Sequence, residues 1–380
     1  MEKLEIIKVE PFLLSSQLSK PFFFSQFEYK ERKICVVKIT LSNGLTGWGE
    51  GYGPGLLVKA GIEQLRSLVV GRDPLHIENI WQDMFRMAYD YSRKGVYISS
   101  ISAIDIALWD IKGKILQQPV SVLLGGRKRE SIKVYATGLY FTHGGNQLEK
   151  LQEEAIMYKN QGFEAVKMKV GLGLETDVRN VKAVRKSIGN DMDLMIDANH
   201  AFSLREAHRL MDMLKDERIR WFEEPIVNDD YDGYAELRRA GKIPIAGGEC
   251  EYLKTGALEM LTRKCVDLFQ PDTCATGGIT EMKKIMAIAQ ACHVNLTPHN
   301  WGTGIAIAAN LQISANLDTS PQRLFPQEPI LEFDCSENRL RDELLVDNFN
   351  AIDGHLAIPS GPGLGIQINE DKINEFVIKT

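Results

Sequence analysis

The sequence is short of everything that marks a secreted, membrane-bound or nucleic-acid-binding chain. Its six cysteines (Cys35, Cys250, Cys265, Cys274, Cys292 and Cys335) are scattered, with no C-x-x-C pair. Neither a disulfide framework nor a cysteine zinc clamp is expected from that spacing, and reduced thiols in a cytoplasm suit it better. No apolar run is long enough to span a bilayer. The opening Met1-Glu2-Lys3-Leu4-Glu5 mixes charges where a signal peptide needs an apolar core, so neither secretion nor membrane insertion is expected. Basic charge is in deficit: 45 Lys and Arg against 51 Asp and Glu leave a formal charge of -6, which argues against phosphate backbones and anionic lipid as partners. The one dense basic run, Arg127-Lys128-Arg129, meets Glu130 at once and reads as a solvated loop.

What remains is a chain built for a large soluble core, with 44% hydrophobic and 25% charged residues over 380 positions. That length calls for one large barrel or two domains. The first stretch, 1–125, reads as β then α, with strand-like runs at Ile6 to Leu14 and Ile34 to Leu41 and helical patterning from Val58. This is the order of an α+β unit. Its most helical piece, Ile101 to Gly113, is apolar on more than one face and predicts a buried helix. After Gly125-Gly126 short apolar runs alternate with longer amphipathic stretches, as in repeated βα units. Eight candidate strands follow: Lys133 to Ala136, Ala165 to Val170, Leu194 to Ile196, Arg220 to Phe222, Ile243 to Ala246, Leu268 to Pro271, Val294 to Thr297 and Ile330 to Phe333. The last residues, 350–380, read as turns and short strands outside the barrel that return to the first unit.

Ionisable residues stand at the ends of those runs. From Lys169 to Asp197 is 28 residues, then 26 to Glu223, 26 to Glu249, 23 to Asp272 and 27 to His299. A βα unit takes roughly 30 residues, so each step lands at one height on the next strand and six groups face one mouth. Lys167 and Lys169 are two apart on a strand and share a face, inside a barrel or on an exposed edge. A desolvated lysine beside another cation loses its proton more easily, which makes it a usable base. Asp197, Glu223 and Glu249 each follow an apolar run, where a buried acid is costly unless paired or metal-bound. Three carboxylates without a histidine cluster favour a hard cation such as Mg²⁺ over zinc. Asp272 and His299, on successive strand ends, are placed for a hydrogen bond that fixes the imidazole tautomer and raises its basicity. His143 and His200 also lie near strand ends.

With K-x-K, the three acids and the Asp-His pair in place, the chain resembles the enolase superfamily in its mandelate racemase subgroup. The likeness runs from the Ala103-Ile104-Asp105 helix to Pro362-Gly363-Leu364-Gly365. It implies a TIM-type (β/α)7β barrel over 126–349 and an α+β capping domain formed by 1–125 with the 350–380 tail. It further implies that Asp197, Glu223 and Glu249 bind one Mg²⁺, with Glu224 as the competing choice at the second position. By the same resemblance Lys169 is the base on one face of the substrate, and Lys167 meets the substrate carboxylate and depresses Lys169. His299, oriented by Asp272, serves the other face, Glu332 donates a hydrogen bond to the other carboxylate oxygen, and Asn199 contacts substrate near its α-hydroxyl. The early loop around Leu18 to Phe27 closes over the mouth, with Lys20 and Ser25 as its expected substrate contacts and Phe22-Phe23-Phe24 packing it down, and the Gly51-Tyr52-Gly53-Pro54-Gly55 loop is a further candidate contact whose tyrosine the sequence does not aim.

The expected chemistry is removal of a proton α to the carboxylate of a small-molecule substrate through an enediolate, whose charge the cation, Lys167 and Glu332 are aimed at. Family analogy favours loss of water from an aldonate or aldarate to a 2-keto-3-deoxy acid. Racemisation or epimerisation with the same two bases is the alternative, and a catalytically silent ligand-binding barrel is the reading from another class. A cytoplasmic homo-oligomer is expected.

Overall fold

The structure, a computed structural model, describes residues 4–319, 321, 323–325 and 327–378. The first three residues of the 1–125 stretch and the last two of the 350–380 tail lie outside the described residues.

Alternating apolar residues make the N-terminal strands long. β1 (Ile6–Phe23) and β2 (Glu28–Leu41) form an antiparallel hairpin with Leu13 opposite Cys35, and β3 (Thr46–Gly51) adds to β2. Three helices follow, α1 (Gly55–Val69), α2 (Ile77–Ala88) and α3 (Val96–Leu116). α3 contains the buried helix expected from the sequence, and every residue from Ile98 to Ile111 is buried. One side presses on β3 so closely that a Cβ on Gly49 would stand 2.0 Å from the Ala103 carbonyl oxygen. Only glycine permits that approach.

The other side of α3 packs on a later helix, Gly278–Ala291. Asp105 accepts from the Thr280 amide at 2.9 Å and its hydroxyl at 2.5 Å, satisfying the first turn of that helix, while Trp109 Nε1 donates to Thr280 Oγ1 at 2.8 Å. Burial pushes the Asp105 carboxyl up to about 7 from its ordinary 3.8. A group whose folded pKa is raised holds its proton more tightly when folded, so its contribution to stability is complete below 3.8 and is lost as pH rises through about 7. Asp105→Asn should therefore flatten the decline of the unfolding midpoint between about pH 4 and 7, followed by calorimetry. An unchanged slope would mean that the folded carboxyl is already ionised.

From Ser131 onward the chain alternates strand and helix. The strands are β4 (Ser131–Thr137), the short β5 (Phe141–Thr142), β6 (Ala165–Lys169), β7 (Asp193–Asp197), β8 (Ile219–Glu223), β9 (Ile245–Gly247), β10 (Leu268–Phe269), β11 (Asn295–Leu296) and β12 (Ile330–Asp334). β5 joins the N-terminal sheet beside β1, with Phe22 opposite Thr142. The other eight run in the order β11-β10-β9-β8-β7-β6-β4-β12, all parallel, with a helix in each of the seven intervals. This is the (β/α)7β barrel. All eight overlap the runs read from sequence. β9, β10 and β11 are trimmed beside Pro244, Pro271 and Pro298, which have no N–H for a ladder.

No ladder joins β11 to β12 among the described residues. Asn300 spans that seam instead, its amide donating to Glu332 Oε2 at 3.0 Å and its Nδ2 to the Glu332 carbonyl at 3.1 Å. The tail first lays β13 (His355–Ala357) antiparallel on the start of β4, a stretch that β6 does not reach. It therefore covers a barrel edge before it returns to β1, where the Ile378 amide donates to the Leu13 carbonyl at 2.8 Å.

Candidate active site

Parallel strands deliver their C-terminal ends to one side. Lys169, Asp197 and Glu223 close β6, β7 and β8 and are direct register partners, so they stand at one height. Glu249, Asp272 and His299 follow β9, β10 and β11 within three residues, and Glu332 lies within β12. All seven, with Lys167, come together in one cluster, buried except for the partly exposed Glu249.

Two ammonium groups sit among the acids. Lys167 Nζ bonds Glu223 Oε1, lies 2.8 Å from Glu332 Oε1 and 3.6 Å from Asp197 Oδ2. Lys169 Nζ donates to Asp197 Oδ2 at 2.6 Å and to Asn199 Oδ1 at 2.9 Å. Burial alone would lower both lysines. For Lys167 the carboxylates of Glu223 and Glu332 outweigh it and hold the group well above its usual value. For Lys169 the attraction of Asp197 outweighs both burial and the repulsion from Lys167, and its pKa is raised. The expected depression by the neighbouring lysine is present, but it is overcome because Asp197 is in direct contact.

His299 forms the opposite wall. Its Nδ1 is 2.6 Å from Asp272 Oδ2, and Asp272 is itself fixed by the Cys274 amide at 2.6 Å. Its Nε2 lies 3.6 Å from Glu249 Oε2 and 4.0 Å from Glu332 Oε2. Burial opposes the imidazolium, yet Glu249 and Asp272 raise His299 to about 10. The group is positively charged at neutral pH and poised as an acid.

Glu332 differs from its expected role as a donor. It accepts from Thr137 Oγ1 at 2.6 Å and from the Asn300 amide at 3.0 Å, with Lys167 at 2.8 Å. Against the cost of burial, Lys167 and His299 hold it down at about 2. Surrounded by donors, it stands as an acceptor.

Lys20 is not brought to the cluster. β1 continues as strand to Phe23, which leaves Lys20 exposed beside Ser19, whose amide and hydroxyl bond Glu337. The next residues make the contact instead: Ser25 Oγ donates to the Ala198 carbonyl at 2.7 Å and Gln26 Nε2 to that of Asn199 at 2.5 Å. The three phenylalanines do pack the loop down. Phe22 lies against Tyr140 at 4.6 Å, Phe23 against His143 at 4.9 Å, and the Phe24 ring faces Lys169 Nζ at 5.6 Å. His143 is exposed and pairs with Glu28 at 2.8 Å, away from the acids. His200 pairs with Glu224 at 2.8 Å, and Glu224 is fully buried.

Sequence reasoning missed several residues. Tyr140, three past the end of β4, has its ring 5.3 Å from Lys169 Nζ, and its strand-end place was a usable signal. Tyr52, whose loop the sequence offers as a contact without aiming the side chain, reaches in from the N-terminal unit to 5.1 Å from the His299 ring. Arg32 stacks on Trp301 at 3.6 Å and bonds Asp334. Nothing in local sequence aims a side chain from one unit onto another.

The donor set fits a divalent cation. Asp197, Glu223, Glu249 and Glu332 bring four carboxylates against two ammonium groups, Lys167 and Lys169, while Asp272 and His299 offset each other. The excess is the charge of one divalent ion. Burial raises Glu223 to about 7, with Lys167 opposing and the neighbouring acids adding to the rise. Such crowding is relieved by a cation, and an all-oxygen set suits a hard one. Free Mg²⁺ at 100 times its Kd should raise unfolding stability by about 2.7 kcal/mol. Thermal scans should show a smaller rise in Glu249→Gln, and an equal one would remove Glu249 from the set.

Two family models match the chain: the mandelate racemase / muconate lactonizing enzyme N-terminal domain over residues 8–125 and the enolase C-terminal domain-like model over 150–372. A D-galactarolactone cycloisomerase of Agrobacterium fabrum is 40% identical, over 98% of this chain and 99% of that protein. The crystal structure of the 3,6-anhydro-D-galactonate cycloisomerase from Zobellia galactanivorans superposes with a TM-score of 0.90 at 48% identity, covering 99% of this chain and 100% of that one. An L-talarate/galactarate dehydratase from Salmonella typhimurium, liganded with Mg and L-lyxarohydroxamate, gives 0.87 at 28% identity, covering 100% and 94%.

Proposed function

Because the chain belongs to the mandelate racemase / muconate lactonizing enzyme family of the enolase superfamily, we propose that it removes the α-proton of a sugar acid and expels a β-oxygen that is part of a ring. The observation that carries this reading is the pairing of each base with its own partner around one set of acids: Lys169 with Asp197 and His299 with Asp272. Two relatives named for cycloisomerisation of cyclic sugar-acid derivatives support the ring. So do the aromatic faces beside both bases, Phe24 and Tyr140 at Lys169 and Tyr52 at His299, which suit the C–H face of a compact ring.

Lys167 sits where the substrate carboxylate would meet positive charge. Mg²⁺ held by Asp197, Glu223 and Glu249 would stabilise charge developing on the carboxylate oxygens. Lys169 takes the α-proton, and the C–H pair becomes the α,β double bond as the β-carbon–oxygen bond breaks. His299 delivers a proton to the departing oxygen, and the enol tautomerises to a 2-keto acid. A ring oxygen stays attached, so the product is an isomer of the substrate. A free hydroxyl would leave as water, the outcome that the dehydratase likeness favours.

Incubation with anhydro-aldonates, aldarolactones and open-chain sugar acids separates these readings by mass spectrometry. A 2-keto product of unchanged mass is expected. Loss of water would replace ring opening with dehydration, and deuterium uptake from D₂O at the α-carbon alone would replace both with epimerisation. No conversion across such a panel would revive a silent binding barrel.

A further inference from the structure

The loops after β7, β8 and β9 carry a second group of donors that the chemistry above leaves unused. We propose that His200, Glu224 and Cys250 form a site for a thiophilic divalent ion of the Zn²⁺ or Co²⁺ kind, separate from the oxygen site of Asp197, Glu223 and Glu249. One ligand atom from each of the three lies within 4.8 Å of the others. His200 Nε2 is 2.8 Å from Glu224 Oε2 and 3.9 Å from Cys250 Sγ. Tetrahedral zinc, with bonds of about 2.0 to 2.3 Å, sets N···O near about 3.3 Å and N···S near about 3.6 Å. These two pairs therefore have to adjust by no more than about 0.5 Å.

A second observation points to a ligand. Glu224 is 0% exposed; its Oε2 lies 2.8 Å from His200 Nε2, while its Oε1 has no hydrogen-bond partner among the described residues. A buried carboxylate left in that state is costly. The Asn228 amide, 3.5 Å from His200 Nε2, borders the remaining side.

The two donor sets differ in kind. Nitrogen, oxygen and sulfur together suit the zinc class, whereas carboxylates alone suit Mg²⁺. On binding, the Cys250 thiol releases its proton to solvent and its sulfur forms a bond to the ion, with no change of oxidation state. Glu224 directly follows Glu223, and Cys250 directly follows Glu249, so an ion here stands behind the first site without sharing its ligands.

The test is titration of the Mg²⁺-saturated full-length protein with Co²⁺, read by near-ultraviolet and visible absorption and by bound cobalt after gel filtration. One equivalent should bind with a thiolate-to-cobalt charge-transfer band. That band should vanish in Cys250→Ser, and affinity should fall roughly tenfold or more in His200→Gln. Cobalt bound without a thiolate band, or an unaltered spectrum in Cys250→Ser, would overturn the site. Should that variant fail to fold, iodoacetamide labelling of wild-type Cys250 decides: Zn²⁺ should protect it, and equal labelling with and without Zn²⁺ would overturn the site equally.

Discussion

Lys169→Ala should lose roughly 10²- to 10⁴-fold in kcat and, with it, exchange of the substrate α-proton with D₂O. Lys169 is 7% exposed and is held by Asp197 and Asn199. The other lysine of the cluster, Lys167, is engaged by Glu223 and Glu332 and cannot take its place. Before it can accept a proton, Lys169 must give one up, and in the ion pair with Asp197 it resists doing so. Positive charge drawn onto Asp197 weakens that pair and brings the lysine toward the range of a working base. NMR of the α-proton reads the step directly, and retention of the Mg²⁺-induced rise in unfolding midpoint shows that the variant still folds. Full α-exchange in Lys169→Ala would remove the residue from proton abstraction.

The second large effect belongs to His299→Asn, which should lose elimination by a comparable roughly 10²- to 10⁴-fold while α-proton exchange through Lys169 survives. The imidazole is held by Asp272 at 2.6 Å, which raises its basicity, so it enters the reaction protonated. Because its folded pKa is raised, the acid form is complete at neutral pH and is lost at alkaline pH. Wild-type elimination should therefore decline on an alkaline limb, and the residual rate of His299→Asn should lack that limb. Parallel loss of exchange and elimination in this variant would instead make His299 the base that removes the α-proton.

Much of this arrangement was legible in the sequence because a βα repeat has a nearly constant length. Steps of 23 to 28 residues carried Lys169, Asp197, Glu223, Glu249, Asp272 and His299 to the same end of successive strands, and the structure gathers them there. The buried helix around Ala103-Ile104-Asp105 was equally plain, since apolar residues on every face of a helix demand cover on every side. Where the sequence reading misplaced something, as with Lys20, the cause was a strand that ran further than expected and turned the side chain outward.

The charge states belong to the tertiary structure. Only the contacts show that Asp197 outweighs Lys167 at Lys169, and that Glu332 is ringed by donors. The aromatic wall is of the same kind, since Phe24 and Tyr52 come from the N-terminal unit and Tyr140 from a barrel loop. The six cysteines give a last example. Their spacing excluded a clamp of paired cysteines, yet folding sets Cys250 beside His200 and Glu224 from two other loops. Sequence by itself determined which acids and bases recur at strand ends, because repeat length is a local property. Which groups touch, and therefore which hold their protons, was decided only when loops distant in the chain were packed together, because Coulomb and desolvation energies depend on distance in space and on burial.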